Sequence, residues 1–272
     1  RDKLVTGVQT CALPIYPVST RIALTADLTL YVATTGSDAN DGLTAGTPKA
    51  TIQAAYDLLV NDYDLRGHTA TIQLADGTYP AGLNAARPIP GGGSGRVILQ
   101  GNAASPTSTT IAVTGGICVA VTETGVSVQV QYLKLQGGYG VSASNGGHLT
   151  VGAGITFGAC TTASIAAAFD GVIDLSAAYT VTGGGIWHIT CEHGMVNAGA
   201  ITATLTGTPA YTKTVEANGG GYLRLQSMTW SGAATGQRYY AQTNGVIKTN
   251  GGGANFIPGD SAGTTATGGQ YV

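Results

Sequence analysis

Chemistry-bearing side chains are thinly spread along this chain, so the few that gather are informative. Asp170, Asp174, Glu192 and His193 form one such group. Paired carboxyls hydrolyse glycosidic bonds when they stand ~5 to 9.5 Å apart. Four residues of extended chain separate Asp170 from Asp174 by ~13 Å, so they cannot serve as neighbours on one strand. Glu192 and His193 would approach Asp170 only if the chain returned past it. The group is kept as a catalytic candidate beside the plainer reading of solvated corner residues.

A second group is Asp174, Asn197, Arg224 and Lys248 with Tyr222. Eliminating across a uronate needs a cation or metal on the carboxylate and a base for the adjacent proton. Arg224 and Lys248 supply positive charge, but Asp174 is the only acid. The same set suits glycan contact without cleavage. Tyr222 offers a stacking surface, and Asn197, Arg224 and Lys248 offer donors. Tyr239, within Arg238-Tyr239-Tyr240, is a further glycan-binding candidate. Trp187 and Tyr211 are placed in the core by the parity that Trp187 shares with Ile189 and Cys191.

Other motifs carry less. Asp38-Ala39-Asn40-Asp41-Gly42 is out of step with a calcium-binding loop and lacks its closing Glu, so capped turns account for it. Gly91-Gly92-Gly93-Ser94-Gly95-Arg96 lacks the Lys-Ser/Thr of a phosphate loop and reads as a flexible loop. Of four cysteines, Cys11 falls in residues 1–15, set aside below, and the remaining Cys118, Cys160 and Cys191 have neither CxxC spacing nor an even count, so buried free thiols are expected. No metal and no cofactor is expected.

The elements that position these residues follow from composition and repeat. The chain has 272 residues, 43 of them Gly, with 10% charged and a formal net charge of -2. That excludes binding to nucleic acid through a basic face. The longest apolar runs fall short of the ~20 residues that cross a bilayer as a helix. Gly147-His148-Leu149, Gly171-Val172-Ile173, Gly194-Met195-Val196, Gly221-Tyr222-Leu223 and Gly245-Val246-Ile247 recur at a period near 24. Each is followed by a Thr-rich apolar run closed by another glycine, and then by a third β-like run. Three strands per coil of about 24 residues, without helical spacing between them, predict an all-β right-handed parallel β-helix.

Alternation points Leu149, Val151, Ile173, Leu175, Val196, Ala198, Leu223, Leu225, Ile247 and Thr249 inward. Asp174, Asn197, Arg224 and Lys248 then form an outer column. Asn145-Gly146, Asn218-Gly219, Asn244-Gly245 and Asn250-Gly251 suit the corners. Val126–Val130 and Leu133–Gly137 read as an earlier coil with a phase shift near Gln131, and residues 69–79 as the first coil. Thr47 as N-cap and Pro48 as first residue open a helix to about Val60, with Ile52, Ala55, Tyr56 and Leu59 on one face, as an N-terminal cap.

Three segments carry a resemblance. Tyr31–Gly42, Thr47–Ala55 and Ile72–Tyr79 are similar to the entry segment of pectin-lyase-like right-handed β-helix proteins. The resemblance implies polysaccharide lyases and hydrolases, bacterial surface proteins, or phage tailspike and tail-fibre proteins. Pro258–Gly263 and Gln270–Val272 resemble endings of phage tail proteins. Separately, Val5–Ile15 resembles the in-frame translation of a sequencing adapter, so residues 1–15 are set aside as non-native. A single domain is expected over 16–272, with a capping segment at about 28–65, coils at about 69–260 and a tail at 260–272. The expected function is a non-catalytic phage tail or cell-surface module that contacts a polysaccharide or surface glycan. It would be extracellular or virion-associated and a homo-oligomer, a trimer by family analogy. The alternative is a polysaccharide lyase or glycoside hydrolase.

Overall fold

The computed structural model describes residues 21–272; segment 1–15 and Cys11 lie outside them. These residues wind into an all-β parallel β-solenoid of about 8 turns with a coil spacing of about 24 residues and, among them, a single α-helix. Ten strands stack in parallel as a first sheet. In order they are Leu28–Val32, Ala70–Leu74, Val97–Gln100, Ser127–Gln131, His148–Val151, Val172–Leu175, Met195–Ala198, Tyr222–Arg224, Val246–Lys248 and Gln270–Tyr271. A second sheet of 12 strands carries the other sides of the coil. Its strands Thr109–Val121, Lys134–Ala143 and Thr156–Ala168 each run through a bend and serve two sides. The following coil divides the same path into Tyr179–Val181 and Gly185–Glu192.

Alternation decides the core of the first sheet. All ten side chains expected inward, from Leu149 to Thr249, are buried. Such burial contributes ~1.5–3 kcal/mol per large aliphatic side chain. Asn145, Asn244 and Asn250 take left-handed φ values of 49°, 59° and 59°, which turn the corners. The phase shift near Gln131 has a physical cause in Tyr132, whose φ of 55° turns the corner between Ser127–Gln131 and Lys134–Ala143. Gly185 is demanded by contact, because an added Cβ would strike the carbonyl oxygen of Cys160 in the preceding coil. Cys118, Cys160 and Cys191 are buried free thiols. Burial pushes them up to about 11, 12 and 11 respectively, so they are protonated and inert.

The bend in the second sheet changes the rule. Ser164 and Ile165, His188 and Ile189, and Thr214 and Val215 are consecutive residues that are all buried. A strand that points two neighbours inward must reverse parity on either side. Trp187 therefore faces outward beside Lys213, its register partner, and does not belong to the core as expected. Tyr211 is buried and pairs in register with Gly185, so the two aromatics do not stack. His188 takes the inward place. It sits among Phe157, Tyr179, Tyr211 and Trp230, with the Tyr179 hydroxyl 2.9 Å from Nε2.

Three boundaries differ from expectation. The first coil starts with Leu28–Val32, which pairs Ala70–Leu74 across a long excursion. The helix, α1, spans Ile52–Asp62 with Thr51 as N-cap, rather than starting at Pro48. The Lys49 backbone bridges Val32 at the sheet edge, which keeps the chain at Lys49 out of the helix. Residues 264–265 and 270–271, read as tail, pair with Tyr240–Ala241 and Val246–Ile247. The helix face is as expected, with Ile52, Ala55, Tyr56 and Leu59 buried and joined by Val60.

The loop before α1 shows why Asp38–Gly42 needs no calcium. Asp38 accepts hydrogen bonds from the Ala50 and Thr51 N–H groups and from the Thr51 hydroxyl, each at 2.9 Å. The buried Lys49 ammonium donates to the carbonyls of Asp38 and Asn40, at 3.0 and 2.5 Å. A lysine thus stands where a loop cation would. Asp38→Ala removes all three acceptor contacts at the helix entrance and is expected to cost ~1–2 kcal/mol, seen as a lower urea midpoint with unchanged slope.

Candidate functional site

The column on the first sheet forms as the repeat implies. Thr150, Asp174, Asn197, Arg224 and Lys248 are consecutive register partners on adjacent strands. Asp174 is the hub of its upper part. His148 Nε2 donates to Asp174 Oδ2 at 2.7 Å, and Asn197 Nδ2 donates to Oδ1 at 2.9 Å. These bonds hold the Asp174 carboxyl below its ordinary range, and the same carboxylate raises His148 above its own. Arg224 and Lys248 are different. Among the described residues neither makes a salt bridge or a side-chain hydrogen bond, although their strands are direct neighbours. Tyr222 lies two residues before Arg224 on the same outer side. It borders a shallow concavity of about 370 Å³ that also takes in Asp170, His193 and Met195.

The first part of this face is occupied by its own side chains. Gln129 Nε2 donates to Gln131 Oε1, Gln131 to Gln100 and Gln100 to Gln73, at 2.8, 2.6 and 2.9 Å. Gln73 Nε2 ends the series on the carbonyls of Leu74 and Gly101. This amide ladder is satisfied internally.

The acidic candidates meet at the corners of adjacent coils, where the Phe169 and Asp170 N–H groups bond the carbonyls of Glu192 and His193, but among the described residues no hydrogen bond joins their side chains. Phe169 and Asp170 turn a corner with φ of 44° and 63°, and His193 follows one coil on at 52°. Asp170 borders the Tyr222 concavity, whereas Glu192 opens into a separate groove of about 700 Å³ on the second sheet. Trp187, Tyr139, Phe169, Thr190 and Glu216 also line that groove. Glu216 is buried and tied to Lys213 at 3.0 Å and to Gln242 at 3.2 Å. Sequence reasoning missed it because the bend reverses parity before it. Tyr239 is far from the column's outer side: it pairs in register with Val215 and stacks flat on Tyr271, ring centroids 3.8 Å apart. Among the described residues no three His, Cys, Asp or Glu side chains gather as metal ligands.

No family model, curated protein or solved structure matches this chain. Its reading therefore rests on the geometry. The column offers two cations unpaired among the described residues, a tyrosine ring beside them and an anchored Asp–Asn–His network at its other end.

Proposed function

We propose that this protein is a glycan-contacting module that binds an acidic polysaccharide along the Asp174–Lys248 column without cutting its chain. The observation that carries this reading is the Arg224–Lys248 pair. Like charges directly opposite on neighbouring strands repel, and nothing among the described residues compensates them. A carboxylate or sulfate on a sugar would, through charge-assisted hydrogen bonds, with Tyr222 covering a ring face. Chain cleavage has less support, because Asp170 and Glu192 open into different grooves. Placement on a phage tail or cell surface, and assembly as a homo-oligomer, are supported only by the resemblance of the entry segments.

The test is retention of the full chain on immobilised polygalacturonate compared with uncharged dextran. Arg224→Ala and Lys248→Ala should each weaken binding roughly 10-fold, and added salt should weaken the wild type further. Equal retention on both matrices, or unchanged affinity in both variants, would sink the reading. Shortening of the polymer, followed by size-exclusion chromatography, would replace it with a cleaving enzyme.

A further inference from the structure

The His148–Asp174 pair has a third member that no sequence spacing suggests. Ser94, in the glycine loop of residues 91–95, places its hydroxyl oxygen 3.4 Å from His148 Nδ1. His148 Nε2 bonds Asp174 on its other side at 2.7 Å, and Asn197 fixes that carboxylate at 2.9 Å. We propose that Ser94, His148 and Asp174 form a nucleophilic relay that hydrolyses acyl esters, the substrate class being an O-acyl group carried on a sugar hydroxyl.

The roles follow from the bonding. Asp174 accepts the Nε2 proton and so fixes the neutral tautomer whose Nδ1 lone pair faces Ser94. Such a set is recognised by geometry and roles rather than by chain order, and the Ser–His contact is often loose before substrate arrives. Here the serine meets Nδ1 and the acid meets Nε2. The imidazole can pass a proton through either nitrogen, so the relay is preserved. Ser94 is exposed, while His148 and Asp174 are partly buried against the sheet. The loop also presents donors. The N–H groups of Gly93, Ser94 and Gly95 bond no acceptor among the described residues, and flanking glycines at φ of 66° and 73° make room for the turn. Backbone donors beside a nucleophile suit a developing oxyanion.

The step balances as follows. Ser94 Oγ attacks the ester carbonyl carbon while its proton passes to His148 Nδ1. The tetrahedral oxyanion collapses, the carbon–alkoxide bond breaks, and His148 returns the proton to the leaving sugar oxygen. Water then attacks the acyl-serine, gives one proton to His148, and the carboxylic acid departs as Ser94 regains its proton. The sum is ester plus water to acid plus alcohol, with no other reactant.

That the ester sits on a glycan rests on the binding reading above, since Asp174 is where the relay joins the column. The relay itself does not, so the experiment has two arms. In the first, the full chain is given p-nitrophenyl acetate, and separately a fluorophosphonate probe whose attachment is mapped by peptide mass spectrometry. Turnover should fall at least ~100-fold in Ser94→Ala, and the probe should be found on Ser94. No turnover, turnover retained in Ser94→Ala, or a label elsewhere overturns the relay. In the second arm, acetate release from acetylated polygalacturonate should be lost in Ser94→Ala and should slow in Arg224→Ala. Release of acetate from p-nitrophenyl acetate but not from the acetylated polymer would leave the relay standing and overturn its glycan substrate.

Discussion

Lowering the pH from about 6.5 towards about 3 should remove roughly 4 kcal/mol of folding stability through His188 alone. His188 is fully buried, and burial pushes its pKa down from its ordinary 6.5 to about 3. The unfolded chain takes up a proton as pH drops below 6.5, whereas the folded chain resists until near 3. Stability from this residue is thus present above pH 6.5 and lost as pH falls. The groups facing it are Phe157, Tyr179, Tyr211 and Trp230, none of which can balance an imidazolium. Among the described residues its Nδ1 has no partner, and the Tyr179 hydroxyl occupies Nε2. Two other groups act in different windows. Asp174, lowered by His148, is lost only as pH falls below its unfolded value of 3.8. His148, raised by Asp174, stabilises fully below 6.5 and loses that contribution as pH rises through its folded value. The measurement is the urea midpoint as a function of pH. His188→Phe combined with Tyr179→Phe removes both polar partners together and should flatten the curve above about pH 4. A double variant as acid-sensitive as the wild type would refute the assignment.

Phe157→Ala should be the most damaging single truncation in the aromatic cluster, costing ~3–5 kcal/mol. The ring is fully buried, edge-on to Tyr179 at 5.5 Å and to His188 at 6.2 Å. It also fills the space left by Gly140, where an added Cβ would lie 2.7 Å from the Phe157 ring. The neighbours are rigid strand residues of adjacent coils, so the hole cannot close by local collapse. Phe169→Ala provides the comparison: its ring is 58% exposed, and the change should stay within ~0.5 kcal/mol. Calorimetric unfolding of both variants checks the contrast.

How far the sequence spoke depends on local geometry. The first sheet was legible because each strand after its glycine alternates without interruption, so Leu149 and Val151 announce their side and His148 and Thr150 the other. The second sheet was not, because two consecutive residues enter the core at His188 and Ile189, and a strict alternation then assigns Trp187 to the wrong side. Glu216 was hidden by the same reversal. Leu28–Val32 escaped recognition as the first coil because its partner strand comes only after the excursion that contains α1. The column Asp174–Lys248 was visible from register alone, whereas its pairing with His148 required a diagonal contact between strands. Ser94 could not be read at all, since its loop meets His148 only through folding.

The glutamine ladder also divides the first sheet by what each part has left to offer a visitor. From Gln73 to Gln131 the amides spend their donors on one another and on the backbone. Beyond Asp174 and the Asn197 amide that braces it, the donors of Arg224 and Lys248 are open among the described residues. A chain lying along this sheet would therefore meet a threshold at that residue. Its gripped length would run over four strands, from Asp174 to Lys248, or ~14 Å at the spacing of stacked strands. That is the length of a short repeat rather than of a long polymer. On the proposed binding reading, the solenoid would act as a gauge with a fixed zero mark, reading one small stretch of a chain laid upon it.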